Sequence, residues 1–269
     1  MSAFDKGGFR YDNPQARKYG AQKPSWGKGR LENKSEAGKN IQAYYDDYGD
    51  AWWDGSQRGL RMLANQVYAR LVYFDRVDPR WNGLTVLDLG CGGGLMAEAL
   101  ARRGARVLGV DPSIPSLIVA RRHAGKSGLD IRYIGGTGEA TPLPDRSVDR
   151  VVCVDVLEHV RDIGQVMREI RRVLRPGGLF LFDTVNRNWL SRLAAVTIVE
   201  DVIRIIPKGT HDPEKFIKPS EMSAYLRDSG FQQMPATFTG MGPVGINRRL
   251  DFVFGLLPFT WVMYLGHAR

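Results

Sequence analysis

Cysteine is scarce in this sequence, with only Cys91 and Cys153 among 269 residues. Two cysteines cannot form the disulfide framework of a small secreted domain, so the sequence predicts a cytoplasmic protein. The longest uncharged apolar stretch, residues 252–265, is too short to span a bilayer and is interrupted by a glycine and a proline. Residues 1–30 contain no apolar run flanked like that of a signal peptide. We therefore expect a soluble chain, or one bound peripherally at the inner face of a membrane.

Acidic residues are also few, since 29 Asp and Glu face 38 Lys and Arg and leave a net charge of +9. Much of this excess lies in residues 1–40, where nine basic residues face four acidic ones. This segment is rich in glycine, lysine and proline and has no hydrophobic period, which predicts a basic disordered tail. An arm attracted to anionic lipid or nucleic acid is the alternative interpretation. Residues 41–269 are predicted to form one domain.

Short apolar runs and helical periods alternate through the middle of the chain. The predicted strands are 84–89, 106–110, 131–134, 148–154 and 179–184, and the predicted helices are 95–103, 114–124 and 163–174. This alternation predicts a doubly wound α/β fold with a mostly parallel sheet. Late strands near 232–238 and 260–265 would complete seven strands, and a helix over 220–228 would begin with Ser220 as its N-cap. Residues 41–80 are predicted to form a helical cap, with helices over 41–54 and 60–74.

A glycine-rich loop follows the first predicted strand, where residues 88–94 read Asp-Leu-Gly-Cys-Gly-Gly-Gly. Glycines at this point allow a ligand to approach the backbone closely, beyond the carboxyl ends of the strands. A dinucleotide fingerprint needs a glycine where Leu95 stands, and the Gly-Lys-Ser/Thr of a P-loop is absent. The pattern instead resembles motif I of class I S-adenosylmethionine (SAM)-dependent methyltransferases, with a purely structural turn as the alternative. Its residues would be Asp88, Gly90, Gly92 and Gly94.

Other residues near this loop would complete a nucleoside site. Asp111 ends the second predicted strand, where its carboxylate can accept both ribose hydroxyls. Val110 and Ile114 would contact adenine, together with the loop that contains Thr137 and Gly138.

Asp155, Glu158 and His159 follow the fourth predicted strand at the same rim. Methyl transfer is an in-line displacement, and a phenol with a pKa near 10 needs a base or a cation to favour its anion. His159, with Glu158, could act as that base, and the three side chains together could hold Mg²⁺. A helix-capping or structural role is the alternative. The Asn/Asp-Pro-Pro-Tyr/Phe sequence of nucleic-acid amino-methyltransferases is absent, so a nucleic-acid substrate is not expected.

Residues 186–219 are predicted to be an insertion after the fifth strand. Residues 194–206 have the pattern of a helix with a broad apolar face and a narrow polar stripe. Such a helix could be a lid over the site, a membrane-interface helix, or both. The polar stripe is formed by Thr197, Glu200, Asp201 and Arg204.

The chain resembles the ubiquinone-biosynthesis O-methyltransferases, a family with the Rossmann-like class I fold. The resemblance rests on Asn-Arg-Asn at 186–188, Pro-Lys-Gly-Thr-His-Asp at 207–212, Leu-Glu-His-Val at 157–160 and Trp-Trp-Asp at 52–54. It implies SAM-dependent methylation of catechol oxygens on polyprenylated rings, with the insertion at a membrane and membership in a quinone-biosynthesis complex. It also implies that Arg70 binds the methionyl carboxylate of SAM and that Val154 joins Gly90 and Asp111 at the cofactor.

The resemblance has departures on the side of the ring substrate. The cap lacks the family's His and Asn-Pro before Arg70, and Asp155 stands where the family has glutamate. A methyltransferase of another small molecule, such as a secondary metabolite, is therefore the second hypothesis. A non-catalytic SAM-binding scaffold is the third.

Overall fold

The sheet is the centre of the fold. A computed structural model describes residues 48–193, 212–232 and 238–269. Within them, eight strands form one sheet in the order β3-β2-β1-β4-β5-β8-β6-β7. The strands are β1 (Thr85–Leu89), β2 (Arg106–Asp111), β3 (Ile131–Gly135), β4 (Val148–Cys153), β5 (Leu174–Val185), β6 (Thr239–Ile246), β7 (Phe252–Leu257) and β8 (Met263–Ala268). The predicted doubly wound α/β class is confirmed.

The parallel part of the sheet creates the crevice for a ligand. Strand β1 pairs in parallel with β2 on one side and with β4 on the other, and β3 and β5 extend the sheet outward. The chain therefore winds outward from β1 in one direction and then returns to wind in the other. In such sheets the ligand binds beyond the carboxyl ends of the strands at this reversal, which here lies between β1 and β4.

Helices cover both faces of the sheet and enclose two apolar cores. They are α1 (Ala51–Asp54), α2 (Arg58–Val77), α3 (Leu95–Ala101), α4 (Ile114–Lys126), α5 (Ile163–Val173), α6 (Trp189–Ser191) and α7 (Pro219–Asp228), with a short 3₁₀ helix at Pro213–Lys215. One core contains Phe74, Leu100 and Val152, and the other contains Leu87, Met167 and Phe182. Alternate residues of β1 and β4 enter opposite cores, as the two-residue period of a strand requires.

The antiparallel edge differs most from the sequence prediction, because the sheet has eight strands rather than seven. Strands β6 and β7 form a hairpin, and β8 lies antiparallel between β5 and β6. Strand β7 was not predicted, since its continuous apolar sequence has no alternation to mark one buried face. The strand expected at 260–265 is Met263–Ala268. Of the strand expected at 232–238, residues 233–237 lie outside the described residues, and β6 begins only at Thr239.

Two predicted boundaries were also wrong. The helix expected to begin after Ser220 begins at Pro219, whose preceding Lys218 N–H is satisfied by the side chain of Glu221. Strand β5 begins at Leu174 rather than at 179, because Leu174 already pairs with Val148 of β4, before a bulge in which Gly177 has a φ of +75°.

Several predictions fall outside the described residues. They are the disordered tail of 1–40, the start of the cap at 41–47, and the helix of 194–206. Among the residues that the structure describes, no helix is long and apolar enough to cross a membrane.

Candidate functional site

The glycine loop connects β1 to α3 at the carboxyl edge of the sheet. Gly90, Gly92 and Gly94 have φ angles of +75°, +48° and +89°, a region that residues with a Cβ rarely adopt. The N–H groups of Gly90 and Cys91 both donate to the carbonyl of Val110, at 2.7 and 3.2 Å. The loop is therefore fixed to the end of β2 through its backbone.

Asp111 joins the loop to the start of α4. Its Oδ2 accepts a hydrogen bond from the N–H of Gly92, and its Oδ1 accepts one from the N–H of Ser113, each at 2.8 Å. The acidic residue that the sequence paired with the glycine loop thus contacts that loop directly. A carboxylate oxygen can accept more than one hydrogen bond, which suits a group that must also bind the two hydroxyls of a ribose.

Asp88 lies beneath the loop and is fully buried. Burial raises the pKa of its carboxyl to about 7, and the charge of Asp111 acts in the same direction. Neither carboxyl oxygen has a hydrogen bond of good geometry among the described residues. The backbone N–H of Ala97 lies close enough only to offset part of the rise in pKa. A buried carboxylate at this place favours a positively charged or hydrogen-bonding ligand group nearby.

The predicted adenine side is only partly as expected. Ile114 is 54% exposed and its Cδ1 packs against the α-carbon side of Gly135, so it offers an apolar surface at the rim. Val110, in contrast, is fully buried in the core, and its predicted contact with adenine is wrong. Thr137 is exposed and Gly138 is half-buried, in the loop that follows β3.

Two tryptophans of the cap hold the glycine loop from the side of the helices. A Cβ on Gly92 would lie 2.7 Å from the indole of Trp52, and a Cβ on Gly93 would lie closer still. The indole N–H of Trp53 donates to the carbonyl of Gly93 at 2.8 Å, and its ring stacks on His123 with 3.6 Å between centroids. Sequence reasoning missed this contact, although the Trp-Trp-Asp sequence was noted as a family feature.

A buried charge network occupies the ends of β4 and β5. The guanidinium of Arg70 is buried, and its Nε donates to Asp183 while its Nη2 contacts Asp155, both at 2.5 Å. The same Nη2 donates to Gln66 at 2.6 Å. The sequence predicted Arg70 as a cofactor residue, and the structure places it at the rim between two carboxylates. Val154, which follows β4 and precedes Asp155, is buried.

Asp183 is the residue of this network that sequence analysis missed. Its Oδ2 accepts from Arg70, and its Oδ1 accepts from the backbone N–H of Asp155 at 2.9 Å. Asp155 has a φ of +56°, which costs free energy for a residue with a Cβ. The hydrogen bond that its N–H donates to Asp183 holds it in this conformation. Burial raises the pKa of Asp183 to about 6, although Arg70 opposes the rise.

Glu158 and His159 stand at the turn after β4. Glu158 is buried and accepts a hydrogen bond from the hydroxyl of Thr184 at 2.9 Å. Burial raises the pKa of Glu158 to about 8, and the charges of Asp155 and Asp183 contribute to the rise. His159 is half-buried. Its backbone N–H donates to the carbonyl of Val156 at 2.8 Å, which closes the turn.

The three side chains predicted to hold a metal ion do not converge in this arrangement. Within residues 48–193, 212–232 and 238–269, no group of three His, Cys, Asp or Glu side chains is arranged to hold a metal ion. Asp155 faces Arg70, and Glu158 faces Thr184, so the two carboxylates do not converge with His159. Spacing along one turn suggested a common ligand set, whereas partners from β5 and α2 bind each carboxylate separately.

The start of the insertion is attached to the antiparallel edge. The side-chain amides of Asn186 and Asn188 donate to the carbonyls of Thr260 and Trp261, both at 2.7 Å. Arg187 forms an ion pair with Glu221 of α7. The Asn-Arg-Asn sequence therefore fixes where the insertion leaves the sheet.

Comparisons with known proteins agree with this geometry. Residues 87–182 match the model of a methyltransferase domain family. The chain is 36% identical to the ubiquinone biosynthesis O-methyltransferase of Salmonella arizonae, over 84% of this chain and 91% of that protein. It is also 36% identical to the protein of the same name from Salmonella typhi, over 86% of this chain and 93% of the relative.

Solved structures share the fold. Magnesium protoporphyrin IX methyltransferase from Synechocystis, with bound SAH, aligns with a TM-score of 0.58 at 18% identity, covering 85% of this chain and 97% of that chain. A SAM-dependent methyltransferase from Thermotoga maritima aligns with a TM-score of 0.58 at 18% identity, covering 85% and 96%. At such identities the likeness extends to the fold alone.

A doubly wound sheet with a glycine loop after β1 and an aspartate at the end of β2 defines a class I SAM-dependent methyltransferase. The chain is therefore an enzyme that uses SAM. More specifically, it belongs to the family of ubiquinone biosynthesis O-methyltransferases.

Proposed function

We propose that the chain methylates a phenolic oxygen of a catechol ring that carries a polyprenyl tail, as an intermediate of ubiquinone biosynthesis. The observation that carries the proposal is the proximity of two elements at one rim. The glycine loop with Asp111 lies beside the end of β4, where His159 stands. Family membership supports the ring chemistry, since the relatives are named for O-methylation in that pathway.

SAM supplies an electrophilic methyl group when bound. Asp111 would orient the ribose, and the apolar surface of Ile114 would support the adenine. Arg70 has Nε and Nη2 engaged by carboxylates, which leaves Nη1 to meet the methionyl carboxylate. Gly90, Gly92, Gly94 and Val154 would line the remainder of the cofactor site, with Asp88 beneath the loop and with Thr137 and Gly138 at the adenine end.

His159 would accept the proton of the phenol as the oxygen attacks the methyl group. Glu158 accepts a hydrogen bond from Thr184 and would therefore hold in place the turn that carries His159. Mg²⁺ has no part in the proposal, because the predicted ligands do not converge. The insertion would contact the inner face of a membrane, where the polyprenyl tail resides, and other quinone-biosynthesis enzymes would be partners there.

The test uses purified protein, labelled SAM and a short-chain prenyl catechol. His159→Ala is expected to lower kcat by about 10²–10⁴-fold, the range of general acid–base catalysis, with little change in SAM affinity. Asp111→Ala is expected to weaken SAM binding, measured by calorimetry, because it removes the anchor of Gly92.

Two outcomes would contradict the proposal. Methylation of water-soluble phenols without methylation of the prenyl catechol would favour a secondary metabolite as substrate. Loss of activity with EDTA and its recovery with Mg²⁺ would restore the metal site that the geometry argues against.

A further inference from the structure

We infer that the tip of the β6–β7 hairpin, residues 244–253, docks on the anionic surface of a lipid bilayer. The inference deepens the proposed function, in which the substrate resides in a membrane. The tip exposes four large apolar side chains, which belong to Val244 (56%), Ile246 (63%), Leu250 (71%) and Val253 (41%). Four such side chains within ten residues of one exposed tip are more than the scattered single apolar residues of an ordinary surface, and they point to an interaction site.

The charges of the tip match an anionic lipid surface. Arg248 and Arg249 are exposed between the apolar residues. The acidic residue of the segment, Asp251, is turned inward, where Arg61 binds both of its oxygens at 2.9 Å. Solvent therefore meets positive charge and apolar side chains at the tip, the composition that binds a membrane interface.

The tip has a fixed shape. The N–H of Asn247 donates to the carbonyl of Asp251 at 2.9 Å, and its side-chain oxygen accepts from the N–H groups of Arg249 and Asp251. Arg58 of α2 donates to the carbonyl of Leu250 at 2.9 Å. Leu250 itself has a φ of +61°, a strained conformation that holds a large apolar side chain outward rather than burying it.

The tip projects from the rim that carries the proposed active site. Strand β6 runs in the same direction as β5, and Met241 lies level with Val185, the last residue of β5, through their common neighbour Met263. Residues 243–246 pair only with β7, beyond that level. Trp261, which is 57% exposed, lies on the same rim. A bilayer at the tip would thus face the mouth of the site, which suits an apolar substrate.

Charge argues against two other occupants of this surface. A second copy in a twofold contact would bring the arginine pair of each tip against the other. The segment 1–40 has nine basic and four acidic residues, so it would be repelled by the same arginines. An anionic lipid surface is the partner that the charges favour.

The test is flotation with vesicles of phosphatidylglycerol and phosphatidylcholine, compared with phosphatidylcholine alone. Wild type is expected to bind the anionic vesicles more strongly. Ile246→Ser/Leu250→Ser is expected to weaken binding on the order of a hundredfold, because two aliphatic side chains no longer enter the interface. Arg248→Gln/Arg249→Gln is expected to weaken it about 30-fold at low salt, at about fivefold for each cation, and less at high salt.

Matched control variants separate binding through this surface from non-specific binding to vesicles. Tyr68→Ser removes a 65% exposed side chain from the middle of α2, and Lys126→Gln/Arg132→Gln removes two exposed charges at the opposite edge of the sheet. Both are expected to float like wild type. All variants should retain the wild-type thermal midpoint and the turnover of a water-soluble catechol.

Several results would each overturn the inference. They are the absence of wild-type flotation, equal flotation of the tip variants and wild type, or a dimer in sedimentation that the tip variants dissociate. Flotation requires no methyl transfer, so failure of the proposed function would show in turnover alone. A further variant, Ile198→Ser/Val202→Ser/Ile205→Ser, changes the helix predicted at 194–206. Loss of flotation in this variant, with flotation kept in the tip variants, would also overturn the inference.

Discussion

Two adjacent regions of the rim are held in place by different kinds of interaction. The loop between β1 and α3 is held by backbone N–H groups, which donate to the carbonyl of Val110 and the carboxylate of Asp111. The ends of β4 and β5 are held by ionised side chains, with Arg70 between Asp155 and Asp183. Loss of one partner should therefore cost far more in the second region, because it leaves a buried charge without compensation.

Asp183→Ala tests the larger side of this comparison. The change leaves the guanidinium of Arg70 in a buried site with one carboxylate fewer, and it removes the acceptor of the Asp155 N–H. The free energy of unfolding is expected to fall by about 3–5 kcal/mol. Urea denaturation followed by tryptophan fluorescence measures this change.

Asp111→Ala provides the matching loss in the other region. It removes an acceptor of two backbone N–H groups at a position that retains slight exposure, so we expect a smaller fall of about 1–3 kcal/mol. Equal losses in the two variants would contradict the distinction between the regions. Asp183→Asn keeps the shape of the side chain and removes its charge. Its free energy of unfolding should lie between those of Asp183→Ala and wild type.

Sequence analysis predicted the first region better than the second. The glycine loop is contiguous in sequence and stands between a strand and a helix, so residues 88–94 and their partner Asp111 could be predicted. The network joins Arg70 to a residue 113 positions away and Asp155 to one 28 positions away. The available signal was an aspartate, Asp183, within an apolar run that continues through β5.

The same limit explains the metal prediction. Asp155, Glu158 and His159 lie close in sequence, which suggested a shared ion. Whether neighbouring side chains converge depends on partners supplied by other elements, and these partners are invisible in local spacing. The strand β7 was missed for a related reason, because its burial is set by α2 and β6 rather than by an alternating pattern.

Gly93→Ala sharpens the comparison at the loop. A Cβ at Gly93 would overlap the indole of Trp52, with Cε3 only 2.8 Å away, and this ring is buried between helices. We expect a loss of about 1–3 kcal/mol in stability, as for other overpacked cores. The dissociation constant for SAM should rise, because the loop must move from its tryptophan support.

Gly125→Ala is the control for this change. Gly125 lies in α4 with nothing within 4 Å of an added Cβ, so alanine there should stabilise the protein by about 0.5–1 kcal/mol. Its SAM affinity should equal that of wild type. Unchanged affinity in Gly93→Ala would show that the tryptophans pack on the loop without positioning it.

The smallest expected loss of stability concerns Asp88, the buried carboxyl group beneath the glycine loop. Burial raises the pKa of Asp88 to about 7 from its ordinary value of 3.8, so between these values the native state binds a proton that the unfolded state has released. Stability must then fall as the pH rises through this window. For this group, the expected fall between pH 6 and pH 7 is about 1 kcal/mol, at about 1.4 kcal/mol for each proton and pH unit. Asp88→Asn cannot titrate, so the difference between wild-type and variant unfolding free energies should grow with pH and shrink toward pH 4. A constant difference across that range would mean that the Asp88 carboxyl does not titrate between pH 4 and pH 7.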